Sequence, residues 1–281
     1  MITVTGATGQ FGRLVIADLL ARGVPAGDIT AAVRSPEKAA GLGVRVVEAD
    51  YDRPETLVPA FAGTDRLLFI SGSEVGRRIR QHQNVVDAAR EAGVGLIVYT
   101  SAPKATTSSL QLAAEHKATE EAIAASGLPS VILRNGWYFE NYTGTLAQTL
   151  ERGVIVGSAG DGRVSAASRA DLAAAAAAVL VDPVPGSVYE LGGDEAFTLS
   201  ELAAEVSAQS GTPVSYRDLP VDEYTQVLVG AGLPQPVAAV FADSDRGLSV
   251  GDLFIDSGDL RRLIGRPPTS LADAVADALK P

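Results

Sequence analysis

The segment Gly6-Ala7-Thr8-Gly9-Gln10-Phe11-Gly12 constrains this chain more than any other. It follows the β-branched run Ile2-Thr3-Val4-Thr5 and opens an amphipathic stretch, Phe11 to Arg22, that ends near Gly23. A strand that feeds a glycine-rich turn and then a helix aims backbone N–H groups and the positive helix end at one point. Side chains there would block an incoming anion. The arrangement predicts a site for the pyrophosphate of a dinucleotide. The spacing is G-x-x-G-x-x-G rather than G-x-G-x-x-G, so its weight comes from its place after the first strand and before the first helix. The bland alternative is a tight turn without a ligand.

Strand-like and helical segments alternate through the first half: Ile2 to Thr5, a helix from Phe11, Ile29 to Val33, a helix from Pro36, Arg45 to Ala49 and a helix from Glu55. Leu67 to Ile70, a helix around Gln81 to Ala92, Leu96 to Thr100, a helix around Leu110 to Ala125 and Ser130 to Arg134 continue the series. Right-handed βαβ connections turn such a series into a parallel sheet covered on both faces. The predicted class is therefore α/β, a doubly wound parallel sheet of the Rossmann type with a small C-terminal substrate lobe. Helix starts agree: Ser35 precedes Pro36, and Thr198/Glu201, Ser168/Asp171 and Ser270/Asp273 have capping-box spacing or its aspartate variant. Residues 1–140 are read as the dinucleotide-binding core, with 169–195 packing back on it. Residues 141–168 and 196–281 are read as mainly the small lobe, with Asn141 to Ser168 and Val214 to Ser257 its irregular parts.

Composition narrows the chemistry. An apolar content of 46% over 281 residues can bury a large core. The absence of cysteine removes disulfides, thiolate metal sites and redox thiols, and two histidines, His82 and His116, cannot build a multi-histidine zinc centre. No metal is expected, and redox chemistry would need a bound cofactor. A net charge of −11 without a basic run argues against nucleic-acid binding. The longest apolar run, Leu172 to Val181, is too short to span a bilayer, and the chain opens on a core strand rather than a charged leader. No membrane partner and a cytoplasmic location are the expectations.

After the second strand, a site for NAD places an acid against the ribose 2′-hydroxyl, whereas this chain has Arg34. An arginine there binds a 2′-phosphate bidentately, and Ser35 and Lys38 lie near enough to help, so NADPH is expected over NADH. A solvated surface arginine is the alternative. Asp50 follows the third strand, where an acid can meet the adenine amino group. Ser71-Gly72-Ser73 follows the fourth, where small residues let backbone approach a cofactor. Ordinary turn chemistry would explain either.

These residues carry a resemblance. The chain is similar to the NmrA-like, atypical members of the short-chain dehydrogenase/reductase superfamily, and most of all to the bacterial type-two NAD(P)H:quinone oxidoreductases. The likeness rests on Gly6-Ala7-Thr8-Gly9-Gln10, Ala32-Val33-Arg34, Ala49-Asp50-Tyr51, Ser73-Glu74-Val75-Gly76, Asn135-Gly136-Trp137-Tyr138, Glu140-Asn141-Tyr142 and Ser168-Arg169-Ala170-Asp171. It runs on through Ala242-Asp243-Ser244-Asp245. The resemblance implies NADPH held by Gly6, Thr8, Gly9, Gln10 and Phe11, by Arg34, by Ser71, Gly72 and Ser73, and by Asn135, Gly136, Trp137, Tyr138, Phe139 and Glu140. It also implies a hydride passed directly to a quinone, with no flavin.

The tyrosine acid and the lysine four residues later, which serve the usual short-chain dehydrogenase, are missing. Counting back from Gly127, the lysine position falls on His116 and the tyrosine position on Leu112, with Glu120 one turn further on. A quinone tolerates the loss, because aromatic hydroquinone formation drives hydride acceptance and water or one modest donor can protonate the oxygens. His116 is either a proton donor near neutral pH or structural. Asn135 ends its strand, and its amide can donate to a quinone oxygen or a carboxamide. Trp137, Tyr138, Phe139 and Tyr142 are four of the fifteen aromatics and fall within six residues. They suit a flat acceptor, or alternatively a hydrophobic hinge between sheet and lobe. Tyr138 is the candidate proton donor. Three functions fit: an NADPH-dependent quinone reductase, an NADP(H)-sensing regulatory protein without turnover, and a reductase or isomerase of another small carbonyl or lignan-like compound.

Overall fold

Strands β1 (Ile2–Thr5), β2 (Ile29–Val33) and later β5 (Leu96–Ser101) are buried along their whole length, as central strands of a parallel sheet covered on both faces must be. The computed structural model describes residues 1–280. Helix α1 (Gln10–Ala21) follows β1; β3 (Arg45–Glu48), α2 (Pro54–Phe61), β4 (Arg66–Phe69) and α3 (Arg78–Glu91) lead to β5, then α4 (Gln111–Ser126) and β6 (Ser130–Asn135). The second half holds α5 (Glu140–Thr143), α6 (Leu146–Arg152), β7 (Val154–Gly157), α7 (Arg169–Val181), β8 (Val188–Leu191), α8 (Leu199–Ser210) and β9 (Ser215–Asp218). It ends with α9 (Val221–Gly230), α10 (Gln235–Ser249), α11 (Asp259–Ile264) and α12 (Leu271–Ala278).

Seven strands form one sheet in the order β3-β2-β1-β4-β5-β6-β8, every neighbouring pair parallel. The winding reverses between β1 and β4, which opens a crevice at the strand C-termini where ligands of this architecture bind. One apolar core lies under α1 and α7 and includes Val15, Leu19, Leu172 and Leu180. The other lies under α2, α3 and α4 around Leu57, Phe61, Val85 and Ile123. No helix among the described residues is long and apolar enough to cross a membrane.

Three features depart from the sequence reading. The helix expected from Pro36 is one 3-10 turn, Pro36–Ala39, because Ser35 makes no capping bond and Gly41 and Gly43, both at positive φ, stop propagation. The irregular segments contain a second, two-stranded parallel sheet of β7 and β9. Strands of four residues, one of them largely polar, leave no readable alternation. Finally, α11 returns to the sheet, where it packs on α7 and β8 with Leu260 in the first core. A third apolar core joins Phe197, Leu202, Leu248 and Val275 of the second half to Leu110 and Phe139 of the first. The caps read at Ser168, Thr198 and Ser270 all form.

Candidate active site

Gly6 takes φ +57°, the left-handed region, and the Gly9 N–H closes the turn on its carbonyl at 2.9 Å. A Cβ on Gly12 would lie 2.6 Å from the Gly6 carbonyl oxygen and 2.7 Å from the Ala7 Cα, so helix α1 can lean on the turn only through glycine. No side chain caps α1, and its first N–H groups have no partner within the helix. Gly9, the residue just before them, lines a cleft of about 330 Å³ together with Gly6, Thr8, Arg34, Asp50, Ser71, Gly72 and Ser73 among others. Phe11 is buried in the core, so what it can offer an anion is its backbone N–H, whereas Gln10, the exposed first residue of α1, has its side-chain amide as well.

Charges ring the mouth. Arg34 is exposed and meets Glu74 at 3.1 Å; Arg77 reaches Glu74 at 2.8 Å and Asp52 at 2.9 Å, and Arg80 reaches Asp52 at 2.7 Å. Exposed pairs of this kind contribute little each, so a phosphate dianion can take Arg34 from Glu74 at small cost. Asp50 accepts the Asp52 N–H at 3.0 Å, and its side chain is partly used by its own turn. Tyr51 also lines the cleft. Its hydroxyl spans Thr5 Oγ1 at 2.5 Å and the Ile70 carbonyl at 2.8 Å, which joins the ends of β1 and β4, and burial pushes its phenol up.

A buried polar layer holds the loop after β4. The Gly72 N–H donates to His82 Nε2 at 2.9 Å, so the proton of neutral His82 sits on Nδ1 and faces Thr119 Oγ1 at 2.8 Å, which in turn donates to the Glu115 carbonyl. Arg78 Nε donates to the Gly72 carbonyl, and the Arg78 guanidinium lies 3.6 Å from buried Glu115. His116 Nδ1 shares a 2.8 Å hydrogen bond with the Tyr99 hydroxyl. Burial first, then Arg78, lowers both imidazoles to about 3. His116 is thus held neutral inside the protein. Of its two readings, the structural one agrees with this burial and with the bond to Tyr99. Glu120, one turn on, is spoken for as well: it pairs with Arg134 at 2.7 Å and accepts from Ser101.

The segment Asn135 to Glu140 divides. Asn135, at the C-terminal end of β6, is buried, and neither its amide nitrogen nor its amide oxygen completes a hydrogen bond. Tyr138 stands beside it. Burial pushes the Tyr138 phenol up, and the Arg169 guanidinium lies 4.6 Å over its ring. Trp137 is half-buried and meets Phe241 edge-on. Three of the expected cofactor contacts also have structural roles. A Cβ on Gly136 would strike the Leu191 carbonyl at 2.7 Å, so its glycine seats β6 against β8. The Phe139 ring, 3% exposed, stacks on Phe197 at 5.7 Å in the lobe core and has no free face. The Glu140 carboxylate accepts the Arg169 N–H at 2.9 Å and sits at the start of α7. None of Asn135 to Glu140 lines the first cleft, which is built from the glycine turn, the ends of β2, β3 and β4 with the residues after them, and Gln81 of α3.

Sequence reasoning gave no role to Tyr51, Asp52, Glu74, Arg77 and Gln81, although Tyr51 and Glu74 lie in segments that carry the resemblance. Glu74 and Gln81 line the cleft, and Gln81 donates to Asp52 at 2.9 Å. Their one visible signal is the density of charge right after the third and fourth strands.

The family model described as NAD(P)H-binding matches residues 6–183. Quinone oxidoreductase 2 of Escherichia coli (strain K12) is 50% identical over 280 residues, covering 98% of each chain. The solved structure of an NADPH-dependent quinone oxidoreductase from Escherichia coli, complexed with NADPH, superposes with a TM-score of 0.97 at 49% identity over 100% of both chains. Citrobacter sp. triphenylmethane reductase complexed with NADP(H) gives a TM-score of 0.95 at 42% identity, over 99% of this chain and 100% of that one.

Proposed function

The chain belongs to the NAD(P)H-binding, NmrA-like family, and from that premise we propose that it is an NADPH-dependent quinone oxidoreductase that reduces quinones to hydroquinones directly, without flavin. Bound NADPH would supply a hydride, which is two electrons and one proton; the hydroquinone takes up one further proton, from water or a neighbouring hydroxyl. The residues fit that cofactor. The Gly6 to Gly12 turn leaves unpartnered N–H groups for a pyrophosphate, Arg34 is accessible for a 2′-phosphate, and the small residues Ser71 to Ser73 let backbone come close. A small-molecule quinone is the partner.

The observation that carries the reading is Asn135. A buried amide with both polar atoms unpaired costs on the order of 1–3 kcal/mol per group, and such a group at a strand C-terminus fits a ligand that completes it. Asn135 would orient a carboxamide or quinone oxygen, and Tyr138 beside it is the proposed proton donor. The test is Asn135→Ala at saturating NADPH. kcat/KM for a simple benzoquinone should fall roughly ten- to hundredfold, since one buried hydrogen-bonding group is lost. Turnover at the wild-type rate would place the acceptor elsewhere.

A further inference from the structure

The small lobe contains a second cleft, of about 360 Å³, that shares no lining residue with the first. Its apolar wall is built from Leu146, Ile155, Leu199, Leu202, Leu228 and Leu233, and Thr145, Gln148, Thr149 and Arg152 line it as well. Two polar side chains in it are incompletely used. The Tyr142 hydroxyl is shut off from solvent and has no hydrogen-bond partner. Asp245, 8% exposed, accepts the Ser158 N–H on Oδ2 at 2.8 Å and forms no ion pair among the described residues.

Asp245 is unusual among the buried carboxylates. Glu115 lies 3.6 Å from Arg78, Asp171 lies 2.6 Å from Arg266, and Asp243 lies 2.7 Å from Arg246. Each has its arginine, as burial of a charge demands. Asp245 has none. The groups that face it are Tyr142 from α5, Tyr216 and Asp218 from β9 and Tyr224 from α9, all neutral or negative. Arg152, a cation of the same cleft, is exposed at the end of α6 and does not pair with it. Strand β7 makes room for this carboxylate: a Cβ on Gly157 would lie 2.6 Å from Asp245 Oδ2. A carboxylate kept in an apolar cleft, with space reserved and no internal counter-ion, is half of an ion pair.

We propose that this cleft binds a small molecule made of an apolar body and an ammonium or amidinium nitrogen, with Asp245 as its counter-ion and the Tyr142 hydroxyl as its second polar partner. The ligand's apolar part replaces water against the leucine walls. Its nitrogen donates to the free edge of the Asp245 carboxylate while Ser158 keeps the other. The raised carboxyl, at about 6 through burial, means that the acceptor is ionised at pH 7.5 and largely protonated at pH 5.

Benzylamine and the neutral benzyl alcohol are the probes, titrated by NMR into the NADPH-saturated protein. The amine should bind about tenfold more tightly than the alcohol at pH 7.5, the size of a charge-assisted hydrogen bond in a dry site. That ratio should shrink at pH 5, disappear in Asp245→Asn, which keeps an acceptor for the Ser158 N–H, and fall a few-fold in Tyr142→Phe. Equal binding of the two probes by the wild type, a ratio that survives Asp245→Asn, absence of binding, or displacement of the amine by NADPH would each overturn the assignment. The pH series needs no variant, so the outcome does not depend on whether Asp245→Asn folds.

Discussion

The two clefts are close in size and opposite in construction. The one over the sheet is made chiefly of backbone: a glycine turn, an uncapped helix start, and loops tied down by His82, Arg78 and Tyr51, with its rim charges paired among themselves. The one in the lobe is lined from six elements, α5, α6, β7, α8, α9 and α10, with the Tyr142 hydroxyl left without a hydrogen-bond partner and Asp245 without an ion pair. A backbone site tolerates most side-chain changes and fails when a glycine is lost. A side-chain site has few residues that matter, and each carries one specific bond.

The sharpest way to break this contrast is with two glycines. Gly12→Ala puts a Cβ into backbone that cannot move aside, at a cost of about 3 kcal/mol, so NADPH affinity should fall about a hundredfold. Gly157→Ala meets mainly side-chain atoms and should leave NADPH affinity nearly intact. Fluorescence titration with NADPH compares the two, and equal losses would end the distinction.

The regions also answer acid with opposite signs. His82 and His116, lowered to about 3 when folded, are protonated first in the unfolded chain, so their contribution is complete above about pH 6.5 and declines as pH falls. Each should cost about 2 kcal/mol at pH 5. Asp245, raised to about 6, takes its proton first in the folded protein and gains stability as pH falls through 6. Asp245→Asn should therefore raise the melting temperature by a few degrees at pH 7.5 and steepen the loss between pH 7 and 5. A variant less stable than wild type at pH 7.5 would mean that Asp245 is internally satisfied.

The smallest effect belongs to the rim. Arg34→Glu should lower the NADPH/NADH preference about tenfold, because the 2′-phosphate loses one exposed cation and meets an acid. Glu74→Gln, by freeing Arg34, should move it a few-fold the other way. Unchanged ratios in the kcat/KM values would show that Arg34 is surface decoration.

The same contrast explains what could be read in the chain. The sheet and its first turn were legible because β-branched runs, glycines and helix caps lie next to each other in sequence, and each local signal agrees with the fold. The position of Asn135 at the end of β6 was legible for the same reason. The packing of His116, Phe139 and Glu140 was not legible, because their partners, Tyr99, Phe197 and Arg169, come from other elements. Asp245 stood out only as part of Ala242-Asp243-Ser244-Asp245. Its isolation depends on Ser158, 87 residues away, and on tyrosines of α5, β9 and α9, which no spacing reveals.

Steady-state oxidation of NADPH by the purified, flavin-free protein, with and without a simple benzoquinone and with the uncatalysed rate subtracted, tests the central claim most directly. The structure predicts saturable, quinone-dependent turnover that weakens when NADH replaces NADPH. Tight NADPH binding with no turnover across several quinones would contradict it and identify a nucleotide sensor.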